Sequence, residues 1–312
     1  MDNRTQSAVI RGIFVLLMII SSVVLSRLSM GLILFPIPVL LSVNGIRDKG
    51  KAIIIHIIAS VGVLGLNLLS SRGLFTTEYL TIGLFSLVFP LTISIACTLW
   101  TALRDFSDSV LRKLVICSIP TTVIALAFSI WLCLPEAQAS IETLRAAYTL
   151  VVPQSLSGEA TIDLGSIFIA VLKFGSVPVA IIFQGIPILI SECILHRGDE
   201  KWNFEFANMK MPYKFVWVFL ALLGLSIIVP YLDFVGQIPI IVLWNLTFGL
   251  GLHFMFDGVS VLVSILRKRS LRFTPGRILL WLTFSMIIPG LNMFVITGLL
   301  ATGIFENWVK LR

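Results

Sequence analysis

The sequence predicts an all-α, polytopic membrane protein, one integral membrane domain over residues 1–312 built as a transmembrane bundle of eight or nine helical spans. Three observations predict it. Hydrophobic residues make up 57% of the chain and charged residues 12%, with a mean hydropathy of +1.02, whereas a soluble domain is about one quarter charged. So few charges cannot cover a globule against water, and a soluble enzyme is excluded. The apolar residues gather into runs of about 20, the length that crosses about 30 Å of hydrocarbon. The connections between runs are alternately rich and poor in Lys and Arg, as the positive-inside rule requires.

Taken in order, the apolar runs cover 9–26, 28–46, 52–70, 79–103, 114–134, 164–195, 214–230, 236–266 and 278–302. The first follows Arg4 and Arg11 like a signal sequence. No A-x-A cleavage site follows it and another apolar run comes at once, so it reads as an uncleaved helix. The second is broken by Phe35-Pro36-Ile37-Pro38 and reads either as a span or as a half-helix covered by neighbouring protein. The connection at 135–163 is the one long external stretch, acidic through Glu136, Glu142, Glu159 and Asp163. Within it Ile141, Leu144, Tyr148 and Val151 recur at three- and four-residue steps, which predicts a short amphipathic helix at the outer interface.

Charge assigns the sides. Inner loops hold Arg4 and Arg11; Arg47, Lys49 and Lys51; Arg104, Arg112 and Lys113; Arg197, Lys201, Lys210 and Lys214; and Arg267, Lys268, Arg269, Arg272 and Arg277. Outer loops hold only Arg27, Arg72 and Arg145. Nine spans would leave Lys310 and Arg312 outside, the one discord, so either the C-terminal end is external or an early run fails to cross. Trp202, Phe204, Phe206, Tyr213 and Phe215 interleave with Lys201, Lys210 and Lys214, the composition of a headgroup belt and not of a nucleic-acid platform. The net charge of +7 therefore reports membrane orientation, with the lipid bilayer as partner and no nucleic acid. Cys97, Cys117, Cys133 and Cys193 lie in apolar runs without a CxxC pair, and His56, His196 and His253 are widely scattered, so neither disulfides, metal nor cofactor is expected.

Polar residues inside apolar runs ask for a reason, because charge at membrane depth costs several kcal/mol. Asn245, Gly249, His253, Asp257, Ser260 and Ser264 follow at steps of three or four, on one helix face. Lys173, Ser176, Ala180, Gln184, Pro187 and Ser191 trace a second stripe. Such stripes belong against protein and not lipid. Lys173, Gln184, Asn245, His253 and Asp257 are thus the candidate ligand-binding residues, in a polar pocket between the two long helices. Lys173 and Asp257 do not pair in this reading. They lie at depths that differ by about twelve residues, roughly 18 Å at 1.5 Å per residue, so Asn245 is level with Lys173 and Gln184 with Asp257. A plainer reading has Lys173 snorkel to the outer interface and Asp257 sit at the inner one near Arg267. No nucleophile elbow, Walker loop, paired carboxylate or GxGxxG is present, so no catalytic residue is assigned and no enzyme is expected.

Short stretches carry a family resemblance. They are Asn245-Leu246, Phe256-Asp257-Gly258-Val259-Ser260-Val261 and Leu266-Arg267-Lys268-Arg269; Gly303-Ile304-Phe305-Glu306-Asn307-Trp308 closing on Leu311-Arg312; and Pro36-Ile37-Pro38 followed by Asn44-Gly45-Ile46-Arg47-Asp48-Lys49-Gly50-Lys51. Together these resemble the YybS-like bacterial membrane proteins, in which a glutamine is expected where this chain has Asp257. The resemblance implies a multi-pass protein of the bacterial inner (cytoplasmic) membrane. That family is similar in shape to the substrate-binding membrane subunits of energy-coupling-factor vitamin transporters and to the rod-shape protein MreD. Two functions follow as expectations. One is a small-molecule binding or transport subunit, partnered by another membrane subunit or an ATPase. The other is a non-enzymatic scaffold of the cell envelope or division machinery, partnered by a cytoskeletal or envelope protein.

Overall fold

The computed structural model describes residues 3–26, 34–106, 109–151, 164–268, 274–287 and 291–312. Arg27, Arg269, Arg272, Glu159, Asp163 and the Pro289-Gly290 pair lie outside them, as does most of the external stretch, and so do the side chains of Tyr148 and Val151. The described residues are all helical or irregular. In chain order the α-helices are α1 (Asn3–Leu25), α2 (Pro36–Asn44), α3 (Lys49–Ser71), α4 (Leu80–Ala102), α5 (Val110–Trp131), α6 (Gln138–Val151), α7 (Leu164–Leu195), α8 (Glu200–Ala207), α9 (Lys214–Ile228), α10 (Gln237–Lys268), α11 (Pro275–Ile287) and α12 (Leu291–Phe305).

Among the described residues, six segments are long and apolar enough to cross a membrane: Lys49–Leu74, Leu80–Ala102, Val110–Trp131, Gly165–Leu195, Lys214–Tyr231 and Gln237–Lys268. Six of the expected eight or nine spans are thereby shown. Within the run 28–46, α2 is a helix of 9 residues, about 14 Å long and under half the hydrocarbon thickness. Pro36 opens it at a position where the missing N–H costs nothing. In the last run, α11 and α12 have 13 and 15 residues, each shorter than a span. In α1 the described apolar stretch is Gly12–Val24.

Local chemistry sets the boundaries at the basic end. Asp48 caps α3 by accepting from the Lys51 N–H at 3.3 Å, and Ser109 caps α5 by accepting from the Arg112 N–H at 3.3 Å. Asp199 caps α8 through the N–H groups of Lys201 and Trp202, at 3.0 and 3.2 Å. Gly198, at φ 86°, makes the left-handed turn that separates α7 from that cap.

Helix α10 is the axis of the bundle. Of its apolar window 67% is buried, against 17% for α9, and it packs on α12, α7, α9 and α5. One core, centred on Phe254, Ile188, Leu111 and Phe206, fills the half of the bundle nearer the basic loops. A second, around Phe89, Phe128, Leu172 and Ile141, fills the other half. There the predicted amphipathic helix exists as α6, with Ile141 and Leu144 buried and Ser140 bonded to Thr81 at 2.5 Å.

The basic loops meet at one end. Lys49 approaches Asp105 at 3.9 Å, Arg104 donates to the Ile46 carbonyl at 2.9 Å, and Arg267 pairs with Glu200 at 2.8 Å. The chain after α12 returns to the same end, where Arg312 donates to the carbonyls of Met209 and Ala207 at 2.5 and 3.3 Å. The discord of Lys310 and Arg312 is thus removed. Helices α11 and α12 have 13 and 15 residues, and the chain after them lies at the end where the basic loops meet.

Candidate functional site

The two polar stripes do meet, but they meet each other. Asn245, on α10, accepts from the Val177 N–H at 3.0 Å and donates to the Lys173 carbonyl at 2.7 Å. Its carboxamide bridges one turn of α7 immediately before Pro178, whose ring supplies no N–H. A third bond, to the Ile241 carbonyl at 3.0 Å, completes it. Asn245 is therefore level with Lys173, as the register predicted, and through its backbone. One turn on, Gly249 seats Val177 and Ile181.

The remaining candidates diverge. Gln184 accepts from Thr121 of α5 at 2.5 Å. Its neighbour Gly185 lies against the Phe256 ring, so the depth matches Asp257 while the side chain turns away from it. His253 bonds Ser118 at 3.1 Å through Nε2 and the Gly249 carbonyl at 2.9 Å through Nδ1. A carbonyl only accepts, so Nδ1 carries the proton and Nε2 faces the hydroxyl. Gly249 and His253 also border a mainly apolar slot of about 390 Å³ that includes Thr122 and Val218.

Asp257 is fully buried and engaged at both oxygens. Oδ2 accepts from the Met211 N–H at 3.0 Å and Oδ1 from Arg312 at 2.5 Å. Arg312 also meets Glu306 at 3.0 Å and the Ser260 hydroxyl at 2.8 Å. The plainer sequence reading placed Asp257 beside Arg267. The structure gives Arg267 to Glu200 and Asp257 to a residue 55 positions on. Buried carboxylates need a partner with several donors, and only tertiary packing could supply this one. Asn245 meets the Lys173 backbone, while Gln184, His253 and Asp257 each bond to different partners, so the side chains of these four residues hold helices together.

A cleft of about 570 Å³ opens elsewhere, at the basic end. The last turn of α4 contributes Trp100 and Arg104, the start of α5 contributes Ser109 and Lys113, and the end of α7 contributes Glu192 and His196. Helix α8 and its tail add Trp202, Phe204, Glu205 and Asn208. A water-sized cavity of about 20 Å³ shares Trp100, Arg104 and Glu192 with it and touches Ser191, whose hydroxyl is buried without a hydrogen-bond partner among the described residues.

Most of the cleft's polar groups are already paired. Glu192 accepts from the Trp100 indole at 2.9 Å and lies 3.4 Å from His196. His196 in turn reaches Asp199 at 3.3 Å and stacks on Trp202, ring centroids 5.5 Å apart and planes within 5°. Arg104 donates to the carbonyls of Val43 and Ile46 and closes α2 from outside its own helix. Asp199 has its carboxyl held below the usual aspartate range, chiefly by the Trp202 N–H, with His196 and the Lys201 N–H assisting. The sequence reading put Trp202 and Phe204 in a headgroup belt. The available signal for a cleft was Glu192 and His196 one turn apart at the end of a long helix, followed within ten residues by two aromatics. No protein-family model, no curated protein and no solved structure matches the chain.

Proposed function

We propose that the chain is a non-catalytic, small-molecule-binding subunit of the bacterial inner membrane, whose ligand enters the cleft from the cytoplasmic side. One observation carries the reading: a cleft of about 570 Å³ walled by Trp100, Trp202 and Phe204 together with charged groups, within the ~300–1,000 Å³ of small-molecule sites. Its acids and bases are paired with one another or with backbone carbonyls, so they hold the walls and perform no bond-making step. The resemblance to the YybS-like proteins, and through them to substrate-binding transporter subunits, supports the same class and adds an ATPase or second membrane subunit as partner. This moves the ligand from between α7 and α10 to the ends of α4, α5, α7 and α8.

The scaffold reading has one observation in its favour, the commitment of both polar stripes to helix packing. Filling the cleft separates the two. Asn208 is an exposed cleft residue whose amide bonds only its own turn, to the Phe204 carbonyl at 2.8 Å. Asn208→Trp should abolish complementation of a deletion strain while leaving membrane insertion and cross-linked partners unchanged. Full complementation by the filled cleft refutes small-molecule binding there and leaves the scaffold.

A further inference from the structure

We propose that an anionic phospholipid of the leaflet on the basic side binds in the slot between α5 and α9, with one acyl chain against α10 and its phosphate headgroup between Arg112 and Lys214. The site is separate from the cleft and does not depend on the cleft being occupied.

The slot of about 390 Å³ lies where α5 and α9 flank α10, whose Gly249 and His253 belong to its floor. Its walls belong to the apolar segments Val110–Trp131 and Lys214–Tyr231, so it stands at membrane depth. It opens sideways: Ile119 and Val123 at its rim on α5 are 58% and 63% exposed, and Val218 on α9 is 48% exposed. No Lys, Arg, Asp or Glu lines it. Ser118 and His253 are bonded to each other and to the carbonyls of Val115 and Gly249, which leaves the Thr122 hydroxyl as the third polar side chain of the lining. A void at membrane depth forfeits the contacts of its lining atoms, and the molecules at hand to restore them are acyl chains.

The headgroup follows from register. On α5, Arg112, Val115, Ile119, Thr122 and Leu126 recur at steps of three and four, so Arg112 heads the face that lines the slot. On α9, Lys214, Val218 and Leu222 recur at steps of four, so Lys214 heads the other wall. Both helices start at the basic end, and helical side chains lean toward their own N-terminus. Both cations are exposed and are thus carried toward the membrane surface at that end of the slot. Among the described residues no carboxylate pairs with Lys214. Asp105 and Glu205, on the segments before α5 and α9, lie 3.9 Å from Lys49 and Lys201. An apolar slot headed by two cations is the complement of an acyl chain that ends in a phosphate.

The test uses the full chain in phosphatidylcholine nanodiscs with a trace of phosphatidylglycerol that carries a photoactivatable diazirine midway along one acyl chain. Cross-linked peptides are mapped by mass spectrometry. Label should concentrate on Val115–Leu126 and Phe215–Leu222 and be competed by unlabelled phosphatidylglycerol. It should exceed the label from a phosphatidylcholine probe with the same chain by about tenfold or more, the joint worth of two cations. Arg112→Gln and Lys214→Gln, at exposed positions, should each lower it by about fivefold while the phosphatidylcholine label and the thermal midpoint hold. Lys201→Gln, on α8, should change neither probe, and Thr122→Trp should remove slot labelling by both. Equal labelling by the two probes, or a loss from Lys201→Gln that matches the loss from Lys214→Gln, overturns headgroup selection and the proposal with it. Label spread evenly onto exposed residues such as Ile57 and Leu69 of α3, or slot label undiminished by Thr122→Trp, shows that no chain sits in the slot and overturns it equally.

Discussion

Helices α10 and α12 cross with their backbones in contact, and two glycines make that crossing possible. A Cβ built on Gly258 would lie 2.8 Å from the Leu299 carbonyl carbon and 3.1 Å from its Cα, with the Leu299 oxygen nearer still. A Cβ on Gly303 would lie 2.9 Å from both the Phe254 carbonyl carbon and the Gly258 nitrogen, with the Phe254 oxygen nearer. Carbon atoms pack at about 3.5–4.0 Å, so one methyl is about 0.7 Å too close to atoms that cannot rotate aside. The helices must separate, which withdraws Leu299 from the core and pulls at the Arg312 tail. Overpacking of this kind costs about 1–3 kcal/mol. Gly298, on the same helix α12, has nothing within 4 Å of its would-be Cβ, and there alanine should gain up to about 1 kcal/mol of helix propensity. Gly258→Ala and Gly303→Ala should therefore fall below Gly298→Ala by about 2–4 kcal/mol in sum. Gly249→Ala should lie between them, because its nearest neighbour is a Val177 methyl at 2.7 Å that can yield. Thermal denaturation of the four purified variants in one detergent gives the order. If Gly258→Ala melts with Gly298→Ala, the close crossing does not exist in the native bundle.

Three further outcomes follow. Arg312→Met leaves Asp257 buried and unpaired and should cost about 3–5 kcal/mol. The double variant Asp257→Leu with Arg312→Met should recover part of that loss, and a single-variant cost under about 1 kcal/mol, as for a surface pair, would refute the buried latch. Asp199 has a folded-state pKa below its ordinary 3.8, so its cap is fully stabilising above that value and is lost as pH falls through the lower folded one. Hydrogen-exchange protection of the Lys201 and Trp202 amides should drop at acid pH in the wild type and be low at all pH in Asp199→Ala. Finally, single cysteines at Lys201 and Lys310 should react with an impermeant maleimide from one side of the membrane, and cysteines at Thr77 and Asp233 from the other. Opposite labelling of Lys201 and Lys310 would contradict the return of the chain after α12.

What the sequence determined by itself is what depends on composition and period alone. Twelve percent charge and runs of apolar residues make a membrane bundle, because lipid leaves the backbone no hydrogen-bond partner but itself. Steps of three and four showed that Asn245 and Gly249 face protein, and the rise per residue brought Asn245 level with Lys173. The break at Pro36 was visible, but not that the helix it opens has 9 residues. Only the tertiary structure decided which partner each polar group takes. Asp257 had Arg267 ten residues away in sequence and pairs with Arg312, because the nearer arginine points past the end of α10 to Glu200. The cleft was hidden for the same reason. Trp100, Lys113, Glu192 and Trp202 come from four elements, so no single stretch of sequence displays the cleft they line together.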